Sequence, residues 1–403
     1  MRATAKTILQ AAQSKTILAI SRRSHLTLAS SPLKLALSML CENSRRRTGL
    51  TTLGYALVAA ARAQFPDTRW LVFSGADQQW EEGDPGVEVV RNFPANDRRL
   101  ARLWVDHFRV GPAARSRGAA ALLTFGFVPF RTGGLPVAMH VLSVRHRSTL
   151  GGPGAWYRRF ALRSGSHRAS LVIANSRWTA AQIGRVRSPV LVSHEGVDHN
   201  RFRPDAPAGD ALPPNWPREY VLWASNFYSY KRAPLAIAAY ARLAPEVRRR
   251  FPFVLVGGDW AGGRAAAEAA ARRAGVSRDV FFAGWIADAS LPAAYRGARV
   301  HVLPTAEETF GRSVLDAMAC GCPCLVQDLP VLREVAGKAA NFVDFEDPGA
   351  SSAALARICL DDAHAVALRA AGLIRAQDFS FSKLARERVS AVLEIAFSQR
   401  EEG

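Results

Sequence analysis

Two acidic residues, Glu308 and Asp316, have types and spacing that could bind a nucleotide-sugar. Glu308 lies in a polar turn after an apolar run that ends at Pro304, and Asp316 lies eight positions later. Residues 312–320 have helical period, so both acids are expected on roughly the same face of that segment. A carboxylate at this position can accept hydrogen bonds from a vicinal diol such as ribose, and the N–H groups at the helix start face an anion.

The phrase around the two acids, EETFGRSVLDAMACGCP over residues 307–323, resembles the signature of the family 4 (group 1) retaining glycosyltransferases of the GT-B architecture. That family has Glu, seven residues and Glu inside a phrase like EGFGxxxLEAMACGxP, whereas the second acid here is Asp316, one methylene shorter. The resemblance implies that Glu308 contacts the donor sugar and Asp316 the ribose, with Phe310 and Gly311 at the helix start facing the leaving diphosphate. Asp316 must then move closer or bind through water. An amphipathic helix with a solvated acid is the alternative.

A second candidate segment contains Lys231 in the phrase VLWASNFYSYKR. A lysine at a helix start can neutralise a diphosphate without a metal. The phrase resembles the family's SNFYxYKN, and where the family often has an Arg five positions before the Lys this chain has Asn226. The resemblance implies donor contacts for Lys231, Arg232 and Asn226, and it matches Gly258 in VGGDWAGG to the family's turn beside the base. A solvated lysine at a helix start is the alternative.

Two residues of the first half complete the candidates, His140 and Gly49. His140 stands near the end of a predicted strand, where the resemblance places the His of an HD pair that contacts the donor sugar, although Val141 replaces the Asp. Gly49 lies in the turn SRRRTGLTTLG, which lacks the Lys-Ser/Thr of a P-loop. In the family this turn approaches the donor's phosphates or the acceptor, and a glycine gives backbone clearance. A core histidine and an ordinary turn glycine are the alternatives.

Composition narrows the class of protein. The chain has 403 residues, 49% of them hydrophobic and 22% charged, which is typical of a globular protein with more than one domain. An odd number of cysteines, five, favours a reducing compartment over a disulfide framework. Cys320, Cys322 and Cys324 lack a fourth ligand with metal-site spacing, and no Asp-x-Asp occurs. We therefore expect neither a cofactor nor a metal.

Positive charge is concentrated in the first half of the chain. Residues 1–200 contain 28 lysines and arginines against 11 acids, a net charge of +17, and the remainder contains 25 against 23, a net charge of +2. Such a surface attracts anionic lipid, nucleic acid or an acidic substrate, although Arg-rich codon usage alone could produce it. The chain has no recognisable nucleic-acid-binding motif, so we expect no nucleic-acid partner. From the basic charge we expect a cytoplasmic protein held at the inner face of a membrane.

Alternating apolar strands and helical segments predict two parallel sheets of Rossmann type. Strands are expected at 33–40, 70–74, 119–125, 137–142, 171–174, 190–193, 220–224, 253–257, 280–283, 300–303, 324–327 and 341–343. Helices are expected at 51–64, 231–243, 262–274, 290–297, 312–320 and 331–336. Ligands of such sheets bind at the carboxyl ends of the strands.

Four segments are expected along the chain. Residues 1–32 form a basic extension that resembles a transit peptide, and it could equally be a misplaced start or a basic membrane helix. Residues 33–195 form an acceptor-binding Rossmann-like domain, residues 196–378 a nucleotide-sugar-binding one, and residues 379–397 a helix crossing back to the first domain. The phrase HEGVDHNRFRP, which resembles the family's NGVDxxxFxP with Glu195 for Asn, marks the passage between the domains.

The fold class expected is therefore α/β, in the GT-B arrangement of two Rossmann-like domains facing a central cleft. The activity expected is transfer of a sugar, with retention, from a nucleotide-diphosphate sugar to a glycan, lipid-linked or other hydroxyl acceptor in cell-surface polysaccharide or glycoconjugate synthesis. The alternatives are a binding or scaffold subunit that has lost turnover, suggested by Asn226 and Asp316, and a nucleotide-sugar epimerase on the same fold. The sequence does not define the sugar, the base, the acceptor or the oligomeric state.

Overall fold

The structure is a computed structural model that describes residues 32–40, 49–76, 80, 83–94, 98–144, 153–205, 212–259 and 262–401. The basic extension up to residue 31, Cys41 and residues 44–48 of the turn before Gly49 lie outside the described residues. The chain divides into two compact units. The first contains residues 1–124, 129–138 and 386–403, and the second contains residues 125–128 and 139–385.

The first sheet has seven strands in the order β3-β2-β1-β4-β5-β6-β7. Its strands are β1 (Lys34–Ser38), β2 (Arg69–Gly75), β3 (Val87–Phe93), β4 (Ala119–Phe125), β5 (Val137–Val141), β6 (Leu171–Ala174) and β7 (Val190–Val192). Strand β1 pairs in parallel with both β2 and β4, and β6 pairs in parallel with β7. The accompanying helices are α1 (Gly49–Gln64), α2 (Arg99–Phe108), α3 (Val110–Ser116), α4 (Pro153–Arg168) and α5 (Arg177–Ile183).

The second sheet has six parallel strands in the order β10-β9-β8-β11-β12-β13. They are β8 (Tyr220–Ala224), β9 (Phe253–Val256), β10 (Val280–Gly284), β11 (Ala298–Leu303), β12 (Cys324–Gln327) and β13 (Asn341–Val343). The helices that follow β8 are α6 (Ala233–Ala241), α7 (Pro245–Arg250), α8 (Gly263–Arg273), α9 (Leu291–Gly297), α10 (Arg312–Ala319), α11 (Pro330–Ala336), α12 (Pro348–Leu360), α13 (Asp362–Ala376) and α14 (Phe381–Glu401).

The chain direction across the second sheet reverses between β8 and β11. Strands β8, β9 and β10 proceed toward one edge, whereas β11, β12 and β13 proceed from the neighbour of β8 toward the other edge. Diverging loops at such a reversal leave a crevice beyond the carboxyl ends of the two central strands, which is where ligands of open α/β sheets bind. The loops that carry Lys231 and Glu308 follow these two strands.

The central strands of the second sheet are buried on both faces. All five residues of β8 and all four of β9 are buried, as expected for strands covered by helices on both sides. The predicted α/β class with two Rossmann-like sheets is confirmed. Strand β3 and helices α2 to α5, α7, α12 and α13 were not among the predicted elements.

Candidate functional site

Lys231 and Glu308, 77 residues apart in the chain, form an ion pair at the reversal point. Nζ of Lys231 donates to Oε1 of Glu308, and only 12% and 9% of the two side chains are exposed. The two loops are also joined through the backbone, because the Ala306 amide donates to the Tyr230 carbonyl over 2.7 Å. The folded chain therefore brings together Lys231 and Glu308, two of the three residues that the sequence indicated as catalytic, the third being His140.

The burial of this pair determines what it can do. Two largely desolvated charges attract strongly, and removal of either leaves the other buried without compensation. An anionic group that reaches Nζ would meet a fixed positive charge in a site with little water, where such a contact is stronger than in bulk solvent. The ammonium ion can thus neutralise a phosphate while the carboxylate orients hydroxyl groups nearby.

Arg232 has a different partner from Lys231. It occupies the left-handed backbone region (φ 51°) at the start of α6. Its Nη1 atom lies 2.7 Å from Oε1 of Glu346. The two neighbouring cations therefore pair with different carboxylates: Arg232 pairs with Glu346, and Lys231 pairs with Glu308.

The turn that carries Glu308 is held by hydroxyl groups from outside the second sheet. Ser176 and Thr179, at the start of α5, both donate to the Thr309 carbonyl, over 2.7 Å and 3.2 Å. The Thr309 hydroxyl in turn donates to the Leu142 carbonyl, just after β5, over 2.8 Å. These contacts fix the backbone next to Glu308, and sequence reasoning did not identify them.

Glu334 of α11 fixes the start of α5. Its carboxylate accepts from the Arg177 and Trp178 amides over 2.8 Å and 3.1 Å and contacts Nε2 of His194 at 2.8 Å. Burial opposes ionisation, but the hydrogen bonds from His194 and the two amides hold the pKa of Glu334 below its usual value. An ionised carboxylate at a helix N-terminus is favourable, so Glu334 stabilises the segment that presents Ser176.

Phe310 and Gly311 form the entry to α10. Phe310 is buried, with its ring centroid 5.9 Å from that of Phe379. Gly311 has φ 94°, and a Cβ there would lie 2.5 Å from Cδ2 of Leu332. The left-handed backbone conformation favours glycine at this position, and the Leu332 side chain would have to shift to admit a Cβ. Gly311, the N-cap residue of α10, has no side chain that could accept from the helix amides, so the positive end of the helix dipole can meet an anion.

Asp316 is buried in α10 and incompletely paired. Its Oδ2 atom lies 3.7 Å from Nε of Arg312, whereas Oδ1 has no hydrogen-bond partner among the described residues. Burial raises its pKa to about 6, an effect that Arg312 and Arg201 oppose. A buried acceptor without a donor is uncommon in folded proteins, and ribose hydroxyls are donors of the required kind.

Arg312 is shared between two acids. Besides Asp316, it faces Glu195, whose Oε2 atom lies 3.9 Å from Nη1. The other oxygen of Glu195 accepts from Nδ2 of Asn175 over 3.0 Å. Glu195 stands where the family phrase has Asn, and Asp316 stands where it has Glu. Arg312 lies between these two departures from the family pattern.

Asn226 and Gly258 contact each other beside this site. Oδ1 of Asn226 accepts from the Gly258 amide over 3.2 Å. The preceding residue, Gly257, approaches so closely that a Cβ there would lie 1.7 Å from the Ser225 carbonyl oxygen. The carbonyl oxygen of Asn226 is thus used by the glycine turn, and its amide nitrogen is a donor that a ligand could use.

The two candidates from the first half differ in their surroundings. His140 is fully buried in β5, and its ring packs edge-on against Phe125 with centroids 5.0 Å apart. Leu142, the residue after β5, contacts the turn of Glu308 through its carbonyl group, which accepts from the Thr309 hydroxyl. Gly49 begins α1 in the first unit, and no heavy atom lies within 4 Å of the position where a Cβ would stand.

The four described cysteine thiols are buried. Burial raises the pKa of Cys320 and of Cys359 to about 12, and raises those of Cys322 and Cys324 as well. Such thiols are poor nucleophiles at neutral pH.

Within the described ranges, His, Cys, Asp and Glu side chains do not gather in groups of three that could hold a metal ion. No helix in that part of the chain has the length and apolar character needed to cross a membrane.

Comparison with known proteins gives relatives for part of the chain. Residues 218–361 match the family model described as glycosyl transferases group 1. O-antigen chain mannosyltransferase B of Escherichia coli is 30% identical over 174 residues, which are 43% of this chain and 45% of that protein. D-inositol 3-phosphate glycosyltransferase 2 of Catenulispora acidiphila is 30% identical over 215 residues, 49% of this chain and 50% of that protein. The chain thus spans about half the length of the curated relatives it matches.

Solved structures resemble the chain over most of its length. Sucrose-phosphate synthase from Thermosynechococcus elongatus superposes with a TM-score of 0.72 at 20% identity, covering 91% of this chain and 99% of that one. Anabaena Alr3699/HepE, solved in complex with UDP-glucose, gives a TM-score of 0.64 at 22% identity, covering 89% of this chain and all of that one. At these identities the likeness establishes the fold.

The resemblance to the group 1 glycosyltransferases is confirmed by the family match and by relatives named as glycosyltransferases. The chain has the GT-B fold, as the structural likenesses show.

Proposed function

We propose that the protein is a retaining glycosyltransferase that binds a nucleotide-diphosphate sugar at the reversal point of its second sheet. The observation that carries this proposal is the buried pair of Lys231 and Glu308 beyond β8 and β11. A single sheet edge there offers a cation for a diphosphate and a carboxylate for sugar hydroxyls. Asp316, with an unused buried oxygen, supplies an acceptor for the ribose.

In the proposed reaction the bond between the anomeric carbon and the diphosphate oxygen breaks as the acceptor oxygen forms its bond on the same face. Negative charge develops on the leaving diphosphate, and Lys231 together with the uncapped start of α10 at Phe310 and Gly311 stabilises it. The acceptor's proton goes to the leaving diphosphate, so no enzymic nucleophile and no metal are required. Glu308 orients the sugar, and we propose that His140 contributes a contact from the end of β5.

Several features bear on the donor and the acceptor. The HepE structures contain UDP or UDP-glucose, and the relatives are named for mannosyl transfer to O-antigen chains and for an inositol phosphate acceptor. On this support we propose a nucleotide-sugar donor and a glycan, lipid-linked or other hydroxyl acceptor in cell-surface polysaccharide or glycoconjugate synthesis. The basic first half suits an enzyme that is cytoplasmic and peripheral at the membrane.

Calorimetric binding to a panel of UDP-, GDP- and ADP-sugars tests the proposal. One nucleotide should bind more tightly than the others, and Lys231→Ala should weaken that binding while leaving the fold intact. Lys338→Ala, which removes an exposed lysine after α11, is the matched control. If no nucleotide-sugar binds the folded protein, the proposal is wrong. Binding without any release of nucleoside diphosphate would favour the alternative suggested by Asn226 and Asp316, a binding subunit without turnover.

A further inference from the structure

Helix α2 in the first unit exposes its large apolar residues to solvent, whereas an ordinary surface helix buries them. Leu100 and Trp104 are 84% and 53% exposed, and Phe108 is also exposed, whereas Asp106 and His107 are buried. The three exposed residues are spaced four apart, so they form one stripe along the helix. A solvent-facing apolar stripe opposite buried polar groups is the reverse of the usual pattern and needs an explanation.

The stripe continues onto a neighbouring loop. The ring of exposed Phe130 lies 5.8 Å from that of Phe108, which in turn lies 6.3 Å from that of Trp104. We call the surface formed by Leu100, Trp104, Phe108 and Phe130 the α2 face. It is a contiguous apolar patch, and such patches mark interaction sites more often than single exposed residues do.

Exposed arginines lie beside the α2 face. Arg98, Arg109 and Arg131 are exposed, and the Arg109 guanidinium lies 5.8 Å from the centroid of the Trp104 ring. Asp106, the last acid before Glu195, is buried. Residues 107–194 contain 13 arginines and neither Asp nor Glu. An apolar patch edged by arginines complements a surface that is apolar inside and anionic outside.

We propose that the α2 face docks on an anionic lipid bilayer. Trp104, Phe108 and Phe130 would enter the headgroup boundary, where aromatic rings are favoured, while the arginines remain at the level of the anionic headgroups. This inference rests on the membrane association proposed above and names the surface responsible. The two contributions to binding respond differently to salt. Salt screens the arginine contribution, but the apolar insertion persists at high ionic strength.

Co-sedimentation with vesicles tests the proposal. The full-length protein is incubated with phosphatidylcholine vesicles that contain, or lack, about a third of phosphatidylglycerol, at about 0.1 M and 1 M salt. We expect binding to the anionic vesicles that weakens at 1 M salt without vanishing. The double variant Trp104→Ser/Phe108→Ser should bind at least about tenfold more weakly at both salt concentrations. Arg109→Gln/Arg131→Gln should weaken binding at about 0.1 M salt and have little effect at 1 M.

Two control variants make the result specific to this surface. Ile374→Gln removes a 70% exposed apolar residue of α13, and Arg249→Gln removes an exposed arginine of α7. Both should bind vesicles as the unmodified protein does. Equal loss in control and test variants, or full binding by Trp104→Ser/Phe108→Ser, would overturn the proposal.

A further outcome would point to a protein partner. If the unmodified protein forms a dimer that Trp104→Ser/Phe108→Ser dissociates, and neither binds vesicles, the α2 face contacts a second copy of the chain and the lipid proposal is wrong. Glycosyl transfer to a water-soluble acceptor should be unchanged in the test variants. Failure of the membrane proposal is therefore distinguishable from failure of the proposed function.

Discussion

Asp316 provides a quantitative prediction, because its burial should cost stability in the free protein. The pKa of Asp316 is raised from 3.8 to about 6, first by burial. At about 1.4 kcal/mol per pH unit, this difference corresponds to about 3 kcal/mol between the folded and unfolded states. We therefore expect Asp316→Asn, which is neutral at every pH, to stabilise the free protein by up to about 3 kcal/mol at pH 7.

The sign of the pH dependence follows from the direction of the shift. Below pH 3.8 the carboxyl group is protonated in both states and contributes no penalty. Between about pH 4 and pH 6 the unfolded chain releases the proton while the folded chain retains it, so the free energy of unfolding falls as pH rises. Above pH 6 the penalty is constant. The stability gap between Asp316→Asn and the unmodified protein should therefore widen from pH 4 to pH 6 and then remain level.

Urea unfolding at pH 4, 5, 6, 7 and 8 measures this gap. Arg312 keeps Glu195 as a neighbour in the variant, so its charge is not left without a partner. Donor binding should change in the opposite direction, weakening by roughly tenfold or more as the ribose loses a charged acceptor worth about 1.5 to 3 kcal/mol. A variant that is less stable at pH 7, or a gap that does not vary with pH, would refute this account of Asp316. Donor affinity equal to that of the unmodified protein would remove Asp316 from the binding site.

Three other substitutions test separate parts of the site. Lys231→Ala should lower kcat/KM by roughly 10²-fold or more, the scale of one lost transition-state charge contact, and unchanged initial rates in a folded variant would exclude Lys231 from catalysis. Ser176→Ala/Thr179→Val leaves the Thr309 carbonyl without its two hydroxyl donors, so kcat/KM of the folded variant should fall by roughly tenfold. Ser116→Ala, which removes an exposed hydroxyl, is its control, and equal rates in the two variants would contradict a positioning role. Gly311→Ala should lower the free energy of unfolding by about 1 to 3 kcal/mol because of its positive φ, and a variant as stable as the unmodified protein in urea would show that the turn can relax.

The pairing of Lys231 with Glu308 could be predicted from the sequence. Each residue follows an apolar strand of the same regular alternation, and carboxyl ends of parallel strands meet at one edge of a sheet. The need for a glycine at position 311 could also be predicted, because it lies in the turn between a strand and a helix, where the backbone often adopts a positive φ that glycine tolerates. Local patterns of this kind determine which edge of the sheet carries the ligand.

The contacts that hold the turn of Glu308 could not be predicted in the same way. Ser176 was recognisable as a helix cap, and it does accept from the Thr179 amide over 2.9 Å. Its second bond reaches Thr309, 133 residues further along the chain, and depends on tertiary packing that no local pattern records. The exposure of Trp104 could not be predicted either, since the apolar face of an amphipathic helix is ordinarily the covered one.

Some elements escaped prediction although signals for them were present. Asp347 and Asp361 cap α12 and α13 with their side chains, and Pro348 follows Asp347 at the first helical position. Strand β3 contains Glu88 and Arg91 among its valines, because as an edge strand it is only partly buried. A search for long apolar runs therefore passes over it.

The central claim is that the Lys231 and Glu308 pair serves the transfer of a sugar from a nucleotide. The most direct measurement follows, by proton NMR, the anomeric signals of the best-binding nucleotide-sugar during incubation with the unmodified protein and with Lys231→Ala. The account predicts release of nucleoside diphosphate together with a transferred or hydrolysed sugar that first appears with the anomeric configuration of the donor, at least about 10²-fold more slowly in the variant. A product of inverted configuration, or equal rates for the two proteins, would contradict it.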